Sequence, residues 1–200
     1  LAHDGSSGRF TDGDQFSAQN LFLPLLIESD NDAGQALALA INKDHFVNLM
    51  NQHARMLGMK HTSFINPTGL DEKNPEGNPA WNHSTADDLA ILAAYILKNH
   101  PDIYDISIKS SDDLRDVAGA HHHTLINTNK LLTSQAFPQK IIGGKTGETS
   151  EAKQNLLLVT RPKSGGGYFV YIILGSDHRF DDMEQLVNWV EKNHTITATP

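Results

Sequence analysis

The order of patterns along this chain predicts an α/β (α+β) fold: a helical part, then an antiparallel sheet covered by a C-terminal helix. Three observations carry the prediction. Apolar residues recur at helical spacing through the first hundred positions. Two β-rich runs, 156–160 and 168–174, flank the glycine-rich stretch RPKSGGG. An amphipathic segment with Met183, Leu186, Val187 and Val190 on one side follows them. The last strands lie too close for crossover helices, which disfavours a parallel βαβ repeat. A length of 200 residues suits a single domain, 1–200, with a helical part over about 18–105 and a sheet part over about 106–200.

Residues 1–18 read as loop. Leu21 to Ile27 is a dense apolar run with Pro24 near an expected helix start, and Glu28-Ser29-Asp30-Asn31 breaks it into a polar knuckle. Ala33 to Ile41 resumes as helix, with Ala33, Leu37, Ala40 and Ile41 on one face. Asn42 or Asp44 caps the next helix, which Gly58 stops. A turn-rich loop over 59–82 precedes a helix with Thr85 and Asp88 as a capping box, ended before Pro101. Ile106-Ser107-Ile108 reads as a short alternating segment, 110–122 as a polar loop, and Ile141-Ile142 as a strand leading to Lys145. Asp181 or Asp182 caps the last helix.

The formal charge is −8 and no Lys/Arg block longer than two residues appears, indeed no two are adjacent, so the positive footprint of a nucleic-acid binder is missing. The sequence has no cysteine, which rules out disulfides and thiolate metal ligands within it. No apolar run reaches 18 residues. The opening LAHDGSSGRFTDGDQ has neither an initial Met nor the pattern of a signal peptide, and reads as the interior of a longer protein.

Three chemistries compete for IIGGKTGETSEAK, residues 141–153. A phosphate loop requires a glycine five positions before Lys145's own glycine, where Gln139 stands, and a following helix that the β-rich pattern replaces. A metal centre draws on 11 histidines, but His121-His122-His123 reads as a solvent-facing loop, and His45 and His53 as surface or half-buried positions. No metal and no cofactor is therefore expected. The third reading pairs Lys145-Thr146-Gly147 with Ser29-Asp30-Asn31, a strand-edge cation and a buried polar pair facing one cleft.

At that pairing the chain resembles the D-alanyl-D-alanine carboxypeptidases, the low-molecular-mass penicillin-binding proteins of the serine β-lactamase-like superfamily. Their second motif, Ser-x-Asn, matches Ser29–Asn31 in LLIESDNDAGQALA, and their Lys-Thr-Gly matches 145–147. HFVNLMNQHARMLGMKHTSFINPTGLD, STADDLAILAAYIL and NTNKLL resemble intervening segments, so that the likeness covers about 18–192. The departure is the first motif. Ser150–Lys153 is the chain's Ser-x-x-Lys, and it lies downstream of Lys145 rather than upstream of Ser29. The resemblance thus implies a nucleophile serine and base lysine upstream of residue 1, and a 200-residue piece that is inactive and poorly stable alone.

The resemblance also implies roles. Ser29 would relay a proton, Asn31 would hold the substrate backbone, and Lys145 would attract the peptide carboxylate. Thr146, Gly147, Glu148 and Thr149 would bind substrate, with the Glu148 backbone N–H as an oxyanion donor. The implied reaction is hydrolysis of D-alanyl-D-alanine ends of peptidoglycan pentapeptides, outside the cytoplasm, through an acyl-enzyme. Endopeptidase or transpeptidase action on cross-linked peptides is the alternative within the family, and a non-catalytic peptidoglycan-binding homologue the alternative outside it. β-Lactams would acylate the complete protein and stay, since no Glu-x-x-Leu-Asn glutamate is present to release them.

Overall fold

The computed structural model describes residues 9–162 and 167–193. Helices α1 (Ala18–Ile27), α2 (Asn31–Ile41), α3 (Lys43–Leu57), α4 (Ala86–Asn99) and α5 (Pro101–Ser107) lead into two hairpins and a final helix. β3 (Ser111–Arg115) pairs with β4 (His121–Ile126), and β5 (Lys140–Thr149), β6 (Lys153–Arg161) and β7 (Phe169–Ser176) form an antiparallel sheet in that order. A minimal ladder, β1 (Glu72–Lys73) with β2 (Pro79–Ala80), sits in the long loop before α4. α6 (Arg179–Asn193) closes the molecule.

The central strand explains the layering. β6 runs Leu156-Leu157-Leu158-Val159 without a polar break, the signature of a strand buried on both faces. Leu156 and Leu158 pack with Tyr171 against Met183 and Val187 of α6. Leu157 and Val159 face the opposite way, toward Ala93 of α4 and Tyr104 of α5. A third cluster, Ile27 with Leu114 and Leu125, holds α1 on the β3–β4 hairpin, and Phe10 and Phe16 pack against it. The glycines before Lys145 serve this packing. A Cβ on Gly143 would stand 2.3 Å from the Tyr104 ring, whose hydroxyl donates to the Ala93 carbonyl at 3.0 Å.

The predicted α/β architecture is the one observed, and several details differ. Pro24 lies inside α1, because Ser17 starts that helix seven residues earlier by accepting from the Asn20 N–H. The buried face of α2 is Ala33, Gly34 and Ala38, while Ile41 is exposed. Ile106-Ser107-Ile108 belongs to the end and cap of α5, since Pro101 at the first position starts a short helix anchored by buried Tyr104. The supposed polar loop at 110–122 holds strand β3 and a turn. α6 begins at Arg179, so Asp181 and Asp182 occupy its first turn rather than its cap. Asn42 caps α3 and Gly58 ends it at φ 83°, as expected. Thr85 caps α4, but Asp88 accepts from the His61 N–H and the Thr62 hydroxyl instead of closing a box. Part of RPKSGGG falls on 163–166, outside the described residues.

Candidate active site

The knuckle between α1 and α2 is shaped by Asp30, which caps α2 by accepting from the Ala33 N–H at 2.7 Å and is 1% exposed. Its second carboxylate oxygen is buried without a hydrogen-bond partner. Burial pushes the Asp30 pKa from 3.8 up to about 6, against the opposing Ala33 N–H. Ser29, just before it, stands at φ 60°, a left-handed conformation that costs a residue with a side chain about 1 kcal/mol. The Asp30 N–H donates to the Pro24 carbonyl, which bends the chain back over the end of α1.

The knuckle meets the edge strand of the sheet. The Lys145 ammonium donates to Ser29 Oγ, 116 residues away in sequence, and to the Thr146 carbonyl at 2.7 Å. Loss of water around the half-buried ammonium, with the Arg179 charge close by, lowers its pKa to about 8. Thr146 is buried, and its hydroxyl lies 2.5 Å from that of Thr128. Thr128 is tied to α1 through its own N–H, which donates to the Ile27 carbonyl. These contacts enclose a cleft of about 490 Å³ lined by Ser29, Asn31, Lys145, Thr146, Gly147, Glu148 and Thr149. Its other wall is the loop Thr68-Gly69-Leu70. Buried Asn66 organises that loop, accepting from the Gly69 N–H and donating to the Leu70 carbonyl.

All seven residues singled out in the sequence therefore reach one cleft, although two serve as braces. Thr149 Oγ1 donates to Asp71 at 3.0 Å and accepts from the Ala152 N–H, pinning the β5–β6 turn to the loop wall. The Glu148 carboxylate, 54% exposed at the rim, accepts from Arg179 Nη1 at 2.9 Å. Arg179, Thr128 and Asp71 escaped the sequence reading. Arg179 lies in a helix start that a cap at Asp181 or Asp182 sets three or four residues late, and NTNKLL marks the Thr128 neighbourhood without singling it out.

The remaining candidates separate from the cleft. β5 continues as strand past Lys145 to Thr149, so no helix follows to form a phosphate loop. Ser150 is exposed in the β5–β6 turn, and Lys153 pairs with Asp177 at 3.1 Å. His45 and His53 are exposed. The histidine triplet is not a solvent-facing loop: it opens strand β4, and His123 is 8% exposed. Among the described residues no cluster of three His, Asp or Glu side chains is arranged to hold a metal ion. No helix among them is long and apolar enough to cross a membrane.

Comparison with known proteins gives one consistent result. A family pattern described as D-alanyl-D-alanine carboxypeptidase matches residues 2–177. The chain is 32% identical to D-alanyl-D-alanine carboxypeptidase DacD of Escherichia coli, over 96% of its own length and 46% of that protein's. It is 31% identical to the D-alanyl-D-alanine endopeptidase of Pseudomonas aeruginosa, over 98% and 60%. Its structure superposes on penicillin-binding protein D2 of Listeria monocytogenes, solved in the ampicillin-bound form, with a TM-score of 0.78 and 28% identity, covering 94% and 73%. The chain spans about half the length of the curated relatives it matches.

Proposed function

We infer the function from one premise: the chain belongs to the D-alanyl-D-alanine carboxypeptidase family. We propose that its cleft is one wall of a serine acyl-transfer site that hydrolyses the D-alanyl-D-alanine ends of peptidoglycan stem peptides outside the cytoplasm. The contact between Lys145 and Ser29 carries the reading, because it joins the two motif groups in one open groove.

The attacking serine and its base lysine come from a Ser-x-x-Lys segment outside these 200 residues. An apolar pocket of about 370 Å³, walled by Leu26, Leu92, Ile96 and Leu157, lies against the same Lys145–Gly147 backbone and suits a helix bearing that motif. The serine oxygen forms a bond to the penultimate D-alanine carbonyl as its proton passes to the base. Ser29, able to donate and accept at once, passes a proton on to the leaving amine as the C–N bond breaks. Water then hydrolyses the ester. Lys145 and Arg179 supply the positive field that draws in the terminal carboxylate, and the Thr146 hydroxyl donates to it. Asn31 holds the substrate backbone through its amide. Gly147 leaves room for the peptide beside β5, since nothing lies within 4 Å of where its Cβ would be. The Glu148 N–H is the second oxyanion donor, an interaction worth about 3 kcal/mol in such sites. Thr149 acts on substrate indirectly, by fixing the turn.

The exposed Glu148 carboxylate favours one second reading, cleavage of cross-linked peptides whose free ammonium would pair with it. The reactions share the pocket, and β-lactams would acylate the same serine. A fluorescent penicillin offered to the protein expressed from its complete reading frame tests the proposal. We expect stable labelling that disappears when the upstream motif serine is replaced, falls more than tenfold in Lys145→Ala, and declines as pH rises through about 8, where Lys145 loses its charge. The 200-residue chain alone should stay unlabelled. A folded full-length protein that takes no label would favour a non-catalytic peptidoglycan-binding role.

A further inference from the structure

The cleft holds two cations, Lys145 and Arg179, and three carboxylates line it with them. Two of the carboxylates are fixed. Asp30 caps α2, and Glu28 is engaged by the Ile126 N–H and by His123. Glu148 is the movable one. Its side chain is 54% exposed, and its carboxylate meets Arg179 Nη1 at 2.9 Å and no other side-chain donor among the described residues.

Arg179 cannot follow Glu148 outward. It opens α6, its side chain is 11% exposed, and Nη1 also donates to the Gly147 carbonyl at 3.2 Å. The guanidinium carbon lies 5.0 Å from the centre of the Phe180 ring, and the Arg179 N–H donates to Gln154 Oε1 at 3.3 Å. The grip on Glu148 is single-pronged. Nε stays buried without a partner, so the paired fork that a guanidinium can offer a carboxylate is not made. A half-exposed ion pair of this kind holds weakly, and displacing it costs a competing anion no more than about fivefold in affinity.

We propose that Glu148 is a displaceable stand-in for the substrate's terminal carboxylate, and that it selects peptides whose leaving residue also carries an ammonium. The proposal rests on the cleft binding that carboxylate. Thr146 and Glu148 fall on the same side of β5, about 7 Å apart along the strand. A carboxylate taken up by the Thr146 hydroxyl and Arg179 therefore ousts Glu148 and leaves it close by as an unpaired like charge. A plain D-alanine end bears both costs. A leaving residue with a side-chain ammonium recovers them, because the released Glu148 gains a new partner. The two charges of such a residue then bind cooperatively, which two independent contacts would not do.

Kinetics of the full-length protein on acyl-peptides ending in D-alanyl-D-alanine and in D-alanyl-D-lysine test this. Wild type should favour the D-lysine end about fivefold in kcat/KM. Glu148→Gln, at an exposed rim position, should lower KM for the D-alanine end about fivefold and raise it for the D-lysine end, so that the preference disappears. Titration of the same protein with N-acetyl-D-alanine, read by ¹³C NMR at the Glu148 carboxyl carbon, follows the displacement directly. The signal should move as the ligand binds, and Glu148→Gln should bind the ligand about fivefold more tightly. An unchanged or higher KM for the D-alanine end in Glu148→Gln overturns the proposal, as does a wild type that favours that end. If neither peptide is cleaved, the hydrolytic reading falls and the titration decides alone. A Glu148 signal that stays in place, or equal binding by both proteins, then rules the displacement out.

Discussion

Asp30 is a residue whose position alone creates a pH dependence. Its proton leaves near pH 3.8 in the unfolded chain and near about 6 in the folded one, because burial penalises the charge. Between those values only the folded state keeps the proton, so stability falls as pH rises through that window. Asp30→Asn removes the titration and preserves the oxygen that caps α2. Urea denaturation should therefore show the variant gaining on wild type from pH 4 to 6, with the difference flat from 6 to 8. Asp30→Ala lacks the cap and should cost about 1 kcal/mol at acid pH as well. The sequence showed a polar knuckle here. Burial singles out Asp30, and burial follows from how α1 and α2 meet.

At the scale of the element, β5 contains glycines that do different work. Gly143 faces α5, where an added Cβ would run into the Tyr104 ring. Gly143→Ala should destabilise by about 3 kcal/mol in urea, through overpacking of a ring anchored by its hydroxyl. Gly147 faces the open cleft. Gly147→Ala should change stability by less than about 0.5 kcal/mol and still reduce peptide turnover, because the new methyl occupies the substrate's approach. Equal losses of stability at both sites would contradict this division. The glycine run was visible in the sequence beside Lys145. The sequence did not say which glycine serves the core and which the cleft, since that depends on which layer covers each face of the strand.

Across the whole molecule, the helical and sheet parts are joined at the cleft by a few polar contacts: Lys145 with Ser29, Thr128 with Ile27, and Asp71 with Thr149. Asp71 also accepts from the Glu151 N–H, so the loop after α3 holds the β5–β6 turn in place. A double-mutant cycle of Asp71→Ala and Thr149→Ala should give a coupling of about 1 kcal/mol. Hydrogen exchange should quicken at 149–152 before it does in β6. A coupling near zero would leave the turn to be held by the sheet alone.

The sequence by itself determined the layers and the pairing of motifs. Helical and alternating periods, the uninterrupted apolar run of β6, and Ser29–Asn31 with Lys145–Gly147 are written in local order, and local order is what periodicity records. Tertiary structure decided what depends on residues distant in the chain. It put Arg179 against Glu148, turned the histidine triplet from an expected surface loop into a bulged strand, and lowered the Lys145 pKa to about 8. Desolvation and charge proximity arise only when separate segments exclude water from one another, and no stretch of sequence contains that information alone.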